Sequence, residues 1–226
     1  MIPRPENPLI VALDVPDVDQ AEALARSLEE TVGFYKVGLE LFSAHGPAAV
    51  LRLRHYGHVF LDLKLHDIPN TVERAARNIA RIGAAMFTVH ALGGEAMVAA
   101  AVRGAARGAE ESGHAMPTVA AVTVLSSLGE SLASPASLAF EAMSAGAHAA
   151  VVSGEDVSTV REVTGEQFCL VVPGIRLAGS NGHDQVRILT PEEAIALGAD
   201  YLVVGRPITE AEDPAGAARS ILATIR

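Results

Sequence analysis

The chain has 226 residues, with 27 Asp and Glu against 17 Lys and Arg, for a net charge of −10. So acidic a balance argues against a nucleic-acid partner or an anionic membrane surface. Half of the residues are apolar, enough for one large buried core, and the single cysteine, Cys169, excludes an internal disulfide and suits a reducing cytoplasm. No apolar run reaches membrane-spanning length, and Met1-Ile2-Pro3-Arg4-Pro5 lacks the apolar core of a signal peptide, so a soluble intracellular protein is expected.

Short β-type runs alternate with Ala-rich helical patterns from end to end. Strands are predicted at 9–14 (LIVALD), 34–38 (FYKVG), 58–64 (HVFLDLK), 85–90 (AMFTVH), 118–125 (TVAAVTVL), 149–153 (AAVVS), 168–172 (FCLVV) and 201–205 (YLVVG). Helical patterns between them include 19–32, 71–83, 95–112, 135–146 and 191–198, and 214–225 closes the chain. Asp17 with Gln20 and Asn70 with Glu73 resemble capping boxes, and Gly83, Gly146 and Gly198 mark helix ends. Near-continuous apolar strands imply a parallel sheet covered by helices, and eight βα units in this length predict a single-domain (β/α)8 TIM barrel spanning 1–226. A doubly wound open sheet is the runner-up, but no GxGxxG follows the first strand.

A barrel gathers its function at the C-terminal ends of its strands. Asp14, Lys36, Asp62, Lys64, His90, Ser126, Ser153, Pro173, Gly205 and Arg206 all fall at or just past such ends, and no comparable polar set marks the other ends. One connection, 173–189 (PGIRLAGSNGHDQVRIL), is Gly-rich, polar and longer than an ordinary βα loop, as expected of a lid.

The most informative stretch is Asp62-Leu63-Lys64-Leu65-His66-Asp67-Ile68-Pro69-Asn70-Thr71, which follows the apolar run His58-Val59-Phe60-Leu61. Strand alternation predicts Asp62 and Lys64 on one face with Leu61 and Leu63 on the other, and Asp67 adds a second carboxylate three residues on. Only Lys36 and Lys64 are lysines, in a chain whose other cations are all arginine. At these two places a compact, proton-donating ammonium is not replaceable by a guanidinium. A mere ion-pair layer at a barrel mouth is the bland alternative, but such layers stabilise poorly because desolvation consumes the Coulomb gain. Lys64, flanked by carboxylates, is therefore expected to act as a general acid and as a cation facing developing negative charge. Gly205-Arg206 after the eighth strand, with Arg176 in the long loop, suits a phosphate. Asp14 serves equally well as a turn residue of Asp14-Val15-Pro16-Asp17. His66 and His90 read as packing or loop histidines, Asn70 and Thr71 as helix caps, and Gln185 alone is weak evidence. No His, Cys or carboxylate set has metal spacing, and no cofactor fingerprint appears.

These residues also carry a likeness. VALDV (11–15), YKVGLEL (35–41), FLDLKLHDIPNT (60–71), AVTVLSS (121–127), PGIR (173–176), DQVRILTP (184–191) and VVGRPIT (203–209) resemble, in order and over nearly the whole chain, the orotidine 5′-phosphate decarboxylase family of UMP biosynthesis. The resemblance implies a cofactor-independent decarboxylation in which Lys64 protonates C6 of the pyrimidine and Asp62 lies beside the departing carboxylate, with Lys36 and Asp67 completing the network. It implies that Asp14 and Lys36 hold the ribose hydroxyls, that Ser126 holds the base in place of the threonine common in bacterial relatives, and that Gln185, Arg206 and Arg176 serve the phosphate beside Pro173 and Gly205. It further implies a homodimer with shared sites, Asp67, Ile68 and Thr71 reaching into the partner's. A similar group, the keto-gulonate-phosphate decarboxylases and hexulose-phosphate synthases, uses a divalent metal and an acid where this chain has Lys36.

Overall fold

The computed structural model describes residues 7–124, 133–175 and 189–225. Eight strands form in it: β1 (Leu9–Ala12), β2 (Phe34–Val37), β3 (His58–Leu65), β4 (Met86–His90), β5 (Thr118–Val122), β6 (Ala149–Val151), β7 (Cys169–Pro173) and β8 (Tyr201–Val204). They pair in parallel in chain order, and β8 closes onto β1 with Leu9 opposite Leu202 and Val11 opposite Val204. That closure makes the fold a (β/α)8 barrel and rules out the open sheet. Each strand has two buried faces, which is why its sequence reads as an apolar run. One face turns into the barrel, where Ile10, Ala12, Phe60, Met86, Ala120, Ala149, Cys169, Val171, Tyr201 and Val203 form a lumen core. The other packs outward, so that Val11, Tyr35, Leu61, Phe87, Val119, Leu170 and Leu202 meet the helices in a second, larger core.

The covering helices are α1 (Val18–Leu28), α2 (Leu39–His45), α3 (Pro47–Leu53), α4 (Pro69–Arg81), α5 (Glu95–Ser112), α6 (Pro135–Ser144), α7 (Val157–Thr164), α8 (Pro191–Ala196), α9 (Arg206–Thr209) and α10 (Pro214–Thr224). No described helix is long and apolar enough to cross a membrane. Two of the expected capping boxes are not formed. Asp17 does cap α1, accepting the Asp19 N–H (2.6 Å), but Gln20 does not reach back. Asn70 is no cap at all, because α4 begins at Pro69 with Ile68 in the cap position. Proline lacks the N–H that a first turn leaves unpaired and holds Ile68 extended (φ −57°, ψ 148°), so the helix starts before Asn70. The reciprocal box sits instead at α8, where Thr190 Oγ1 accepts the Glu193 N–H (3.3 Å) and the Glu193 carboxylate accepts the Thr190 N–H (2.9 Å).

Helix α4 follows directly on the Asp62–Ile68 segment, and its seat is set by two glycines of α5. A Cβ at Gly104 would lie 2.1 Å from the Glu73 carbonyl oxygen, and one at Gly108 would lie 2.2 Å from that of Arg77. The helices therefore pack backbone against backbone, and Arg103–Glu73 and Arg77–Glu111 pairs bind their rims.

Between β5 and β6, the Val119 N–H donates to His148 Nδ1 (3.0 Å), a bond only an unprotonated nitrogen accepts. Burial holds His148 below the ordinary histidine range. As pH falls, the unfolded chain, with a histidine titrating near about 6.5, takes up the proton first. Stability is therefore complete above about pH 6.5 and lost progressively below it. Thermal melts from about pH 7.5 to about pH 5 should show a falling midpoint. His148→Asn, whose Oδ1 takes the place of Nδ1 as acceptor, should flatten that slope; an unchanged slope would contradict the assignment.

Candidate active site

The period of two that turns Phe34, Phe60 and Met86 toward the lumen also turns the next inward residues, Lys36, Asp62 and Thr88, into the barrel mouth. The sequence thus delivers three polar side chains to the C-terminal end of three adjacent strands, above an apolar floor. There they join a row of alternating charge. Lys36 Nζ donates to Asp14 Oδ1 (2.9 Å) and lies 3.9 Å from Asp62 Oδ2. Lys64 Nζ donates to that same Asp62 oxygen at 2.8 Å. The other oxygen, Asp62 Oδ1, accepts the Thr88 hydroxyl (2.9 Å). Lys36 and Asp62 side chains are 11% and 14% exposed and Lys64 30%, so the inner charges are largely withdrawn from water and Lys64 stays the more accessible.

Asp62 and Lys64 meet, but not by simple strand alternation. Pairing of β3 with β4 slips between Leu61, opposite Phe87, and Leu65, opposite Val89, so four residues of β3 span two of β4. Within this bulge Lys64 has φ +51°, the one described non-glycine residue in the left-handed region. A non-glycine residue there costs about 1–3 kcal/mol and persists only where its surroundings over-determine it. Here the Lys64 N–H, released from the strand ladder, donates to Thr88 Oγ1 (2.8 Å). Bulges commonly re-aim a side chain beside a reacting centre.

Gly38 guards the other end of the row. A Cβ on it would stand 2.9 Å from Asp14 Oδ1 and 3.3 Å from Lys36 Nζ, so a side chain would press on the Asp14–Lys36 pair. Neither Gly38 nor Thr88 stands out in the sequence as a functional candidate. The signal for Thr88 was its parity: a polar residue at an inward position of AMFTVH, level with Asp62.

Asp67 and Ile68 lie on the exposed turn between β3 and α4, and Thr71 is exposed in the first turn of α4. Asp67 accepts the Ile68 N–H (2.6 Å) and makes no ion pair with Lys36 or Lys64 of its own chain. Ile68 is 66% exposed, and Leu39 and Leu92, just past β2 and β4, are 55% and 51% exposed, so an apolar rim borders the mouth on this side. His66 and His90 lie with ring centroids 5.4 Å apart. Burial first, then the charges of His66 and Lys64, lower the His90 pKa, and its Nδ1 is buried without a partner. Ser153 bonds Asp156 locally. Pro173 ends β7, and Gly205 leads into exposed Arg206 at the start of α9. Ser126, Arg176 and Gln185 lie outside the described residues, as does most of the long connection 173–189; its flanks meet in an Ile175–Leu189 bridge. Among the described residues no three His, Cys, Asp or Glu side chains are arranged to hold a metal.

Residues 7–221 match the model of the Orotidine 5′-phosphate decarboxylase / HUMPS family. The chain belongs to that family. It is 50% identical to an orotidine 5′-phosphate decarboxylase of Anaeromyxobacter sp. (strain K), over 97% of this chain and 99% of the relative. It is 46% identical to one of Moorella thermoacetica, over 97% and 92%. Among solved structures, orotidine 5′-phosphate decarboxylase of Lactobacillus acidophilus superposes with a TM-score of 0.83 at 36% identity, covering 98% of this chain and all of the other.

Proposed function

We propose that this chain decarboxylates orotidine 5′-phosphate to UMP and CO2 without a metal or organic cofactor, with Lys64 as the proton donor to C6. The observation that carries the reading is the Asp14–Lys36–Asp62–Lys64 row, with Lys64 Nζ 2.8 Å from Asp62 at the open end of the barrel. In the reaction the bond from C6 to the carboxylate breaks, CO2 leaves, and the electron pair stays on C6. A Lys64 N–H proton then forms the new C6–H bond. The developing carbanion has no electron sink, so its stabilisation falls to a cation already in place in a partly dry site. Asp62 lies beside the departing carboxylate and, bonded at both oxygens, keeps the Lys64 ammonium aimed.

The remaining roles follow the family resemblance. Asp14 and Lys36 take the ribose hydroxyls, and Ser126 takes the base. Gln185 and Arg206, with Arg176 near, take the phosphate beside Pro173 and Gly205. A homodimer shares its sites, each mouth receiving Asp67, Ile68 and Thr71 of the partner. The exposed Asp67 and the apolar rim of Leu39, Ile68 and Leu92 support this arrangement. The proposed compartment is the cytoplasm, in keeping with one buried free thiol.

The family name also covers HUMPS enzymes. The metal-dependent reading places an acid where Lys36 stands, whereas here the Lys36 ammonium itself bridges the Asp14 and Asp62 carboxylates. Turnover of orotidine 5′-phosphate, followed by its change in absorbance, should therefore survive exhaustive EDTA treatment and gain nothing from Mg2+. Loss of activity on chelation with recovery on adding the metal would overturn the cofactor-free reading.

A further inference from the structure

We propose that Thr88, on β4, is a positioning residue for this reaction: its one hydroxyl sets both the carboxylate of Asp62 and the backbone of Lys64. The direction of each bond follows from the donors present. The Lys64 amide can only donate, so toward it (2.8 Å) the hydroxyl oxygen accepts. The hydroxyl's single proton is then left for Asp62 Oδ1 (2.9 Å). Thr88 is fully buried, and a β-branched side chain has few rotamers in a strand, so the oxygen has little freedom to move.

Two consequences make this more than a core contact. Asp62 is held at both oxygens, by Thr88 on one and by Lys64 Nζ on the other, which sets the plane of the carboxylate. Lys64, at φ +51° in the bulge, has its amide tied by the same hydroxyl, so both ends of the Asp62–Lys64 pair are referred to one atom of β4. The hydroxyl is too deep to be needed for binding; it acts through its neighbours. Its loss should therefore lower kcat and leave KM nearly unchanged, since misplacing a proton donor costs rate more than affinity.

The inference rests on the decarboxylase reading, and the experiment separates the two. Wild type, Thr88→Val, Thr88→Ser and Thr88→Cys are assayed with orotidine 5′-phosphate, with folded sites counted by calorimetric titration with UMP. Thr88→Val, which keeps the shape and loses the hydroxyl, should lower kcat per folded site about thirtyfold or more, equivalent to about 2 kcal/mol, with KM within about threefold. Thr88→Ser, which keeps the hydroxyl, should recover most of the rate. Should the valine variant fail to fold, Thr88→Cys, with only a weak donor in place, should still lose about tenfold in kcat. A folded variant without the hydroxyl that keeps wild-type kcat would overturn the role of Thr88 alone. A rise in KM together with a fall in kcat, shared by Thr88→Ser, would show a packing role instead and overturn it too. A wild-type enzyme that leaves orotidine 5′-phosphate untouched would remove the functional reading, and the Thr88 role with it.

Discussion

Lys64→Ala is expected to lower kcat at least ten-thousandfold while UMP binding stays within about tenfold of wild type. General acid catalysis by a positioned group contributes about 10²–10⁴, and one preorganised electrostatic contact about 10²–10³. In the proposed mechanism Lys64 supplies both, so about four decades, or about 5.4 kcal/mol of barrier, is the lower bound expected for its loss. Affinity should survive because this ammonium acts mainly as charge develops at C6, whereas binding is spread over ribose, base and phosphate contacts. The fold should survive as well. Asp62 would still accept the Thr88 hydroxyl and keep Lys36 at 3.9 Å, so the substitution strands no bare buried charge. Stopped-flow or steady-state absorbance gives kcat, and calorimetry with UMP gives affinity. Turnover within about tenfold of wild type would remove Lys64 from the chemistry.

Asp67→Ala and Lys36→Ala are each expected to be nearly inactive, yet to restore activity when mixed. In the proposed two-fold dimer each site takes Lys36 from one chain and Asp67 from the other. A mixed dimer then holds one site with both residues intact and one site lacking both. Random re-pairing of equal amounts after reversible dissociation makes about half of the dimers mixed, so activity should return to roughly a quarter of wild type. The exposed turn at Asp67, without an ion pair to either lysine of its own chain, is what this arrangement requires. Confirmed subunit exchange with no return of activity would place Asp67 at its own chain's site and contradict the shared mouth.

The barrel is legible in the sequence because its strands are buried on both faces and leave apolar runs bounded by glycine and helix signals. The cluster at the mouth is legible for the same reason: polar residues that end such runs, at Lys36 and Asp62, have nowhere to go but the C-terminal rim. What escapes is set by contacts distant in sequence. The left-handed Lys64 and its bulge depend on Thr88 of the next strand, 24 residues on, and no local pattern announces that pairing. Alternation alone brings Asp62 and Lys64 to the same side for the wrong reason. The start of α4 is misjudged because an Asn-x-x-Glu cap signal competes with Pro69, and the proline, with its fixed φ, prevails. The close seat of α5 on α4 likewise lies in two glycines whose need appears only when the helices are packed.

In the proposed mechanism, an ammonium at position 64, held by Asp62, is what makes this barrel a decarboxylase. Its most direct test is chemical restoration of that group. Lys64→Cys should be as inactive as the alanine variant, and alkylation with 2-bromoethylamine should rebuild an ammonium of nearly lysine length at that site. Cys169 is spared, because it is buried in the lumen and burial pushes its thiol up to about 12, far from the reactive thiolate. With single-site modification verified by mass, kcat should rise at least about a hundredfold, and alkylation with iodoacetamide, which adds no charge, should restore nothing. Complete aminoethylation without recovery, or an unmodified Lys64→Cys enzyme that already turns over near the wild-type rate, would contradict the claim.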